Sequence, residues 1–311
     1  MSVENFLVCP YCKESLKIRF FKNSKFGTAM CTCDEYPVVE GILYLTKNDF
    51  LTNRTATRLL KKRKFDSAVW ECLKFTARTH KVIVFGCYLL KRYLGITTPL
   101  IFLLKILAIL GPSRDWFGYL LNREKRKDIH LALRLVEAQE DSSDLFLDLG
   151  FGIGSFYKLM KERIRQLPFL YVGVDKSFLS LLIAKICMKE KNALFICSDI
   201  EAGIPVKNDS AHNLLLLDAF WQLKNKAYVL SECQRVLKGR GNLYIINIYE
   251  TTPRTYLWGY GIKAEKLNSL LKKYFKKIKF MDNSLNPKGQ IAYLPFSEVP
   301  KDGYSVWAKE K

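Results

Sequence analysis

The 311-residue sequence predicts an α/β protein built on a doubly wound, mostly parallel sheet, preceded by a small cysteine module and a helical insert. Three observations carry this. From Leu145 onward, short apolar runs that end in an aspartate or a glycine turn alternate with segments of helical period. Four of the nine cysteines fall within the first 33 residues. Between these regions lies the most apolar part of the chain, residues 82–110. The boundaries read as 1–50 for the cysteine module, 51–135 for the basic and apolar insert, and 136–311 for the sheet.

Apolar residues make up 49% of the chain, enough to bury a large core and to exclude disorder of the whole. The formal charge is +20, and the surplus sits on either side of the glycine-rich segment: +11 over residues 51–140 and +7 over 251–311. Such a field favours a polyanionic partner, either nucleic acid or an anionic membrane surface, over a merely lysine-rich surface. The N-terminus lacks a basic segment followed by an apolar one, so a reducing, cytoplasmic setting is expected, with metal binding favoured over disulfides.

In the cysteine module, "FLVCPYCKESLKIRF" and "AMCTCDEYPVVEGILYL" place two residues between Cys9 and Cys12 and, after 18 intervening residues, one between Cys31 and Cys33. Four thiolates suit a tetrahedral structural Zn2+, around which a segment too small for its own core can fold. A ribbon without its metal is the alternative. Over residues 6–45, "CPYC" and "YPVVEGILYL" resemble the zinc-ribbon family that activates several tRNA, rRNA and protein methyltransferases. The resemblance implies a structural and docking role for the module.

In the insert, "RTATRLLKKRKF" and "LKFTARTHK" read as amphipathic helix with a cationic face. "VIVFGCYLLKRYLGITTPLIFLLKILAIL" is nearly long enough to span a membrane, but it contains Pro99 and Lys105 and is flanked by basic residues on both sides. Two readings suit it better than a span: a helical cap over an apolar pocket, or a hairpin lying peripherally in a membrane interface, where cations meet anionic head groups.

In the sheet region, "LFLDLG", "FLYVGVD", "ALFICSD", "NLLLLD" and "NLYIINI" read as five strands. "SFYKLMKERIRQL", "FLSLLIAKICMKE" and "KAYVLSECQRVLKGRG" read as the helices between them, the last running into a glycine turn. The tail reads as a connecting segment, a final helix and two more strands. In such a fold the ligand lies at the carboxyl ends of the strands. The loop "LDLGFGIGSF" is not a dinucleotide fingerprint, because Ser155 stands where the third glycine of G-x-G-x-x-G would be, and no Walker lysine follows. An acid at Asp148 would repel a pyrophosphate but suits a ligand carrying an ammonium or sulfonium cation.

Residues 145–250 resemble the class I S-adenosylmethionine-dependent methyltransferases, particularly the quinone and small-molecule group, in "LDLGFGIG", "VGVDKS", "CSDIEAGIPVKNDS" and "LSECQRVLKGRGNLYI". The resemblance implies a seven-stranded Rossmann-like sheet. It also implies that Asp148 and the backbone of Gly150, Gly152 and Gly154 receive the methionine end of S-adenosylmethionine, Asp175 the ribose, and Asp199 with Ile200 the adenine. After the fourth strand, Asp218 is the candidate base, and Phe220 and Trp221, with Tyr256 and Trp258 further on, are candidates for the acceptor pocket. His80 and His212 read as ordinary structural histidines.

Three functions remain open at this point: methylation of a lipophilic small molecule at a membrane surface, methylation of an rRNA or tRNA base, and a non-catalytic scaffold. The apolar insert favours the first. The ribbon and basic surface suit the second, as in an rRNA guanine methyltransferase family that also begins with a cysteine-rich finger. Intact acids and glycines disfavour the third.

Overall fold

A computed structural model describes residues 5–22, 24–46, 50–110, 114–137, 145–164, 167, 169–188, 193–250, 260–286, 289–300 and 303–309. Strands β1 (Lys17–Phe20), β2 (Gly27–Met30), β3 (Glu35–Val39) and β4 (Ile42–Tyr44) form an antiparallel ribbon. The last hairpin turns through Glu40 and Gly41, both at positive φ (53° and 73°), as a two-residue loop matched to strand twist requires.

Six helices follow: α1 (Phe50–Lys61), α2 (Phe65–Cys72), α3 (Arg78–Leu94), α4 (Leu100–Leu110), α5 (Arg114–Leu121) and α6 (Lys127–Glu137). The basic helix expected over 54–81 is thus broken into α1, α2 and the start of α3, first at a tight turn where Arg63 takes φ 59° and again over residues 73–77. The apolar stretch forms two helices, α3 and α4, rather than a single span. Gly95 caps α3 in a left-handed conformation, and Pro99 precedes α4. No helix among the described residues is long and apolar enough to cross a membrane.

The sheet region alternates as the pattern predicts. It runs β5 (Leu145–Leu149), α7 (Ser155–Arg163), β6 (Leu170–Asp175), α8 (Phe178–Cys187), β7 (Ala193–Cys197), β8 (Ala211–Leu217), α9 (Lys226–Val236) and β9 (Leu237–Ile248). It closes with α10 (Ala264–Leu271), β10 (Lys277–Leu285), β11 (Ile291–Leu294) and β12 (Tyr304–Lys309), so the tail holds three strands where two were expected. The anticipated glycine turn at 239–241 is drawn into β9, whose register against β8 jumps between Ala211 and Asn213.

All strands join one mixed sheet of 12, in the order β1-β2-β3-β4-β7-β6-β5-β8-β9-β12-β10-β11. The expected seven-stranded sheet is therefore extended. The ribbon adds four strands because β4 pairs in parallel with β7 (Ile42 opposite Phe195, Tyr44 opposite Cys197), and β11 adds one at the other edge. The period-2 alternation of the strands gives two cores. Phe146, Tyr171, Phe195 and Tyr244 pack with the helices of the insert on one face. Leu147, Val172, Ile196 and Ile245 pack with α9, α10 and the start of the cysteine module on the other.

Candidate active site and metal centre

The chain winds from β5 toward β6 and β7 in one direction and toward β8 and β9 in the other, so a crevice opens between the carboxyl ends of β5 and β8. A cavity of about 540 Å³ lies there. Its formation depends on the loop after β5. Gly150, Gly152 and Gly154 all take left-handed φ (83°, 58° and 78°), which accounts for their alternation in the sequence. A side chain at Gly150 would meet Ala219 Cβ at 2.5 Å, so a glycine is needed where the loops after β5 and β8 touch. At Gly152 a Cβ would meet nothing within 4 Å, and this turn of the loop faces open space.

Of the residues that sequence assigned to the cofactor, Asp148, Gly150, Gly152, Asp175, Asp199 and Ile200 line the cavity, and Gly154 caps α7 just behind it. Asp148 is 3% exposed and accepts a hydrogen bond from the Tyr171 hydroxyl. Burial raises its carboxyl to about 7, against that hydrogen bond and with the Asp175 charge adding to the rise. Asp175 is also raised by burial. It accepts backbone N–H groups from Ser177 on Oδ1 (2.8 Å) and Gly152 on Oδ2 (2.7 Å), tying the glycine loop to the end of β6. Each oxygen retains capacity for a ligand hydroxyl. Asp199 accepts the Glu201 N–H at 2.9 Å.

On the β8 and β9 side, Asp218 stands at the centre of a polar cluster. Tyr119 Oη donates to its Oδ2, while Trp221 Nε1 (3.0 Å) and Asn247 Nδ2 (2.8 Å) donate to Oδ1. Both Asp218 and Asn247 sit at left-handed φ (58° and 63°), a conformation that Asp and Asn tolerate best among residues with a side chain. Trp221 lines the cavity. Phe220, expected beside it, is only 1% exposed and packs in the core instead. The two are neighbours in a 3-10 turn, which points successive side chains about 120° apart. Tyr256 and Trp258 lie outside the described residues.

Sequence reasoning offered the insert as a cap through residues 82–110 and missed the residues that line the cavity. Trp116, Tyr119, Leu120, Arg123 and Arg126 line the cavity, whereas none of residues 82–110 does. The cap therefore comes from α5 and the turn after it, while α4 packs against α5 from outside. Trp116 and Tyr119 stack with ring centroids 5.7 Å apart, and burial and Asp218 hold the Tyr119 phenol well above its usual range. Asp128, its carboxyl lowered because Arg123 (2.8 Å) and Arg126 (3.2 Å) outweigh its burial, fixes both guanidinium groups. A polar residue within an apolar strand run, as Asn247 is in "LYIINI", was the available signal for that position. For Tyr119 there was none, because its partner is 99 residues away.

At the ribbon, the Sγ atoms of Cys9, Cys12, Cys31 and Cys33 lie within 4.8 Å of one another. Cys33 Sγ is 3.6 Å from Cys9 Sγ and 3.4 Å from Cys31 Sγ, near the roughly 3.8 Å that a tetrahedral Zn–S4 site needs. Buried Tyr36 sets its hydroxyl 3.5 Å from Cys9 Sγ. Although burial opposes it, hydrogen bonds from the Glu14 backbone and neighbouring side chains lower the Cys12 thiol to about 6.

Residues 147–245 match the family model described as a methyltransferase domain. The matched segment runs from β5 into β9 and includes neither the ribbon nor the insert. Among curated proteins, the demethylmenaquinone methyltransferase of Thermotoga maritima is 32% identical over 117 residues, covering 37% of this chain and 48% of that one. The chain thus spans about half the length of that relative. Among solved structures, an S-adenosylmethionine-dependent methyltransferase from T. maritima aligns with a TM-score of 0.47 at 17% identity, over 67% of this chain and 99% of that one. The complex containing the Haloferax volcanii Trm112 methyltransferase activator aligns with a TM-score of 0.46 at 18% identity, over 63% of this chain and 96% of the matched one.

Proposed function

We propose that this protein transfers the methyl group of S-adenosylmethionine to a lipophilic small molecule. The observation that carries the reading is the division of the cavity. Toward β6 and β7 it presents Asp175, Asp199 and the glycine loop, and toward β8 and β9 it presents the apolar side chains of Trp116, Leu120, Leu217 and Trp221 around Asp218, with Arg123 and Arg126 beside them. The methyltransferase-domain match supports the reaction class. The relative named for a demethylated menaquinone, a lipophilic quinone, supports the acceptor class.

The residues present fit the cofactor. Asp175 offers a lone pair on each oxygen to ribose hydroxyls, Asp199 and Ile200 flank the place for adenine, and buried Asp148 gains a counter-ion when a cationic amino-acid end enters. When bound, the cofactor supplies an already activated methyl group, so alignment is the main requirement. Tyr119 and Asp218 form a proton-accepting pair on the acceptor side. An acceptor hydroxyl bonded to Tyr119 Oη would pass its proton to that oxygen as the phenol proton moves to Asp218 Oδ2. Trp221 and Asn247 hold the carboxylate in place. The four ribbon thiolates, none of which lines the cavity, would hold a structural Zn2+.

The test is incubation of cell extract with a labelled methyl donor and the purified protein, followed by partition of product between organic, RNA and protein fractions. Label in the organic fraction is expected, and label in RNA would overturn the acceptor assignment. Calorimetry should show S-adenosylmethionine binding that Asp175→Ala abolishes; absence of binding by the folded wild type would remove the reading altogether.

A further inference from the structure

From Cys72 to Arg114 the chain has seven basic residues and no acidic one; Lys91 and Arg92 turn inward, to the carbonyls of Lys185 and Ile186 and to Glu40 and Asp66, while Arg78 and Lys105 are exposed. Helix α4 has apolar residues on both sides: Leu103, Leu104 and Leu107 are buried inward, while Ile101, Phe102, Ile109 and Leu110 point out. With Leu94 and Ile96 at the end of α3, these outward side chains are 52 to 78% exposed, and Lys105 is the lone charge on α4. A surface helix ordinarily carries polar residues on its outer face. Trp116, on the helix packed against α4, is 42% exposed and also lines the cavity, so the apolar face continues to the cavity's edge.

We propose that the outer face of the α3–α4 hairpin seats the protein on an anionic lipid surface. The charge pattern decides among occupants. A second copy would set exposed Arg78 and Lys105 against their own kind, whereas anionic head groups complement them and the acyl boundary receives the aliphatic side chains. The exposed residues are mainly Ile and Leu, which provide little of the stacking by which aromatic platforms hold single-stranded RNA. The hairpin lies in the interface and does not cross it, consistent with its two short helices. The docking face stands on exposure and charge alone; its service in delivering an acceptor to the cavity rests on the proposed function.

The experiment is co-sedimentation of the full chain with vesicles of phosphatidylcholine and with vesicles in which part of it is replaced by phosphatidylglycerol. Binding to the anionic vesicles is expected to be about tenfold or more stronger than to the neutral ones, and to weaken with salt. The double variant Phe102→Glu/Ile109→Glu, at positions 57% and 78% exposed, should lose binding by about a hundredfold while retaining its circular dichroism and its cofactor affinity. Wild-type protein that ignores anionic vesicles, or a folded double variant that binds them unchanged, would overturn the proposal. So would a wild-type dimer that the variant converts to monomer, or RNA binding that the variant alone loses. Cofactor calorimetry is read separately, so failure on vesicles leaves the methyl-transfer reading standing, and failure in calorimetry leaves the docking face standing.

Discussion

The ribbon and the helical insert join the same sheet by different physics. The ribbon is sewn in by main-chain hydrogen bonds. β4 continues the ladder of β7, Leu45 N donates to Cys197 O (2.7 Å), Val8 N to Pro205 O (3.2 Å) and Lys207 N to Phe6 O (2.8 Å). The seam is locked by Glu232, whose carboxylate accepts Lys13 Nζ (2.7 Å), the Ile204 N–H (2.8 Å) and two bonds from Arg235. The insert, by contrast, is held through side chains: it packs on Phe146 and Tyr171 and reaches the cavity with Tyr119 and two arginines. A backbone seam fixes position whatever the side chains, whereas a side-chain contact tunes chemistry. The ribbon therefore reads as a brace for the loop between Asp199 and Val206, and the insert as a wall of the cavity.

This contrast can be broken in graded steps. Metal removal should have the largest effect. Zinc equimolar with the chain is expected, and Cys9→Ser or chelation should release the ribbon to limited proteolysis before residue 46 while protecting the insert, since structural zinc contributes on the order of 10 kcal/mol to small domains. Next, Glu232→Gln should cost about 2–3 kcal/mol in urea unfolding, because it strips partners from two cations and a buried N–H. The hydrogen bonds of Arg235, Lys13 and Ile204 outweigh burial and hold Glu232 at about 2 against an ordinary 4.5. Its stabilisation is therefore full above about pH 4.5 and lost as pH falls through about 2, and the variant should flatten that acid limb.

On the insert side the effects should fall on activity. Tyr119→Phe should lower kcat about ten- to a hundredfold with stability changed by no more than about 1 kcal/mol. Asp148 links the two sides through pH. Its carboxyl is raised from 3.8 to about 7 by burial, so its contribution to stability is full below pH 3.8 and is lost as pH rises through 7. Binding of a cationic cofactor should strengthen in that direction, up to about tenfold between pH 6 and 8, and calorimetry on Asp148→Asn should show no such dependence. The smallest effect should come from Lys61→Ala, which removes an exposed bridge from α1 to Glu35 of β3 and should change the free energy of urea unfolding by less than about 0.5 kcal/mol.

Much of the sheet was legible because each strand announces itself locally. A mostly apolar strand of five to seven residues ends at or within two residues of Asp148, Asp175, Asp199 or Asp218, and the glycines alternate because the loop needs three left-handed residues. The four cysteines were legible for the same reason, since short spacing predicts proximity. What escaped is non-local. Nothing near "EGILYL" says that it pairs with "ALFIC" about 150 residues later, and a strand buried on both faces carries no mark of its neighbour. Phe220 was assigned to the pocket because adjacency in sequence does not report the 120° step of a 3-10 turn. The cap was placed on 82–110 because apolarity drew attention there, while the wall is built by "RDWFGYLLNREKR", a stretch of ordinary composition.

By itself, then, the sequence determined the five central strands with the helices between them, the order of the strand-end acids and the thiolate set, nearly all of which depend on residues within a few positions of one another. The tertiary structure decided the rest. It showed that the ribbon is an edge of the central sheet and that Glu232 and Arg235 lock it there. It brought Tyr119, Asp218, Trp221 and Asn247 from three separate segments to one carboxylate. It also turned the apolar face of α4 outward. The physical reason is that hydrogen-bond partners and exposure belong to pairs of distant segments, and only the packed chain brings those segments together.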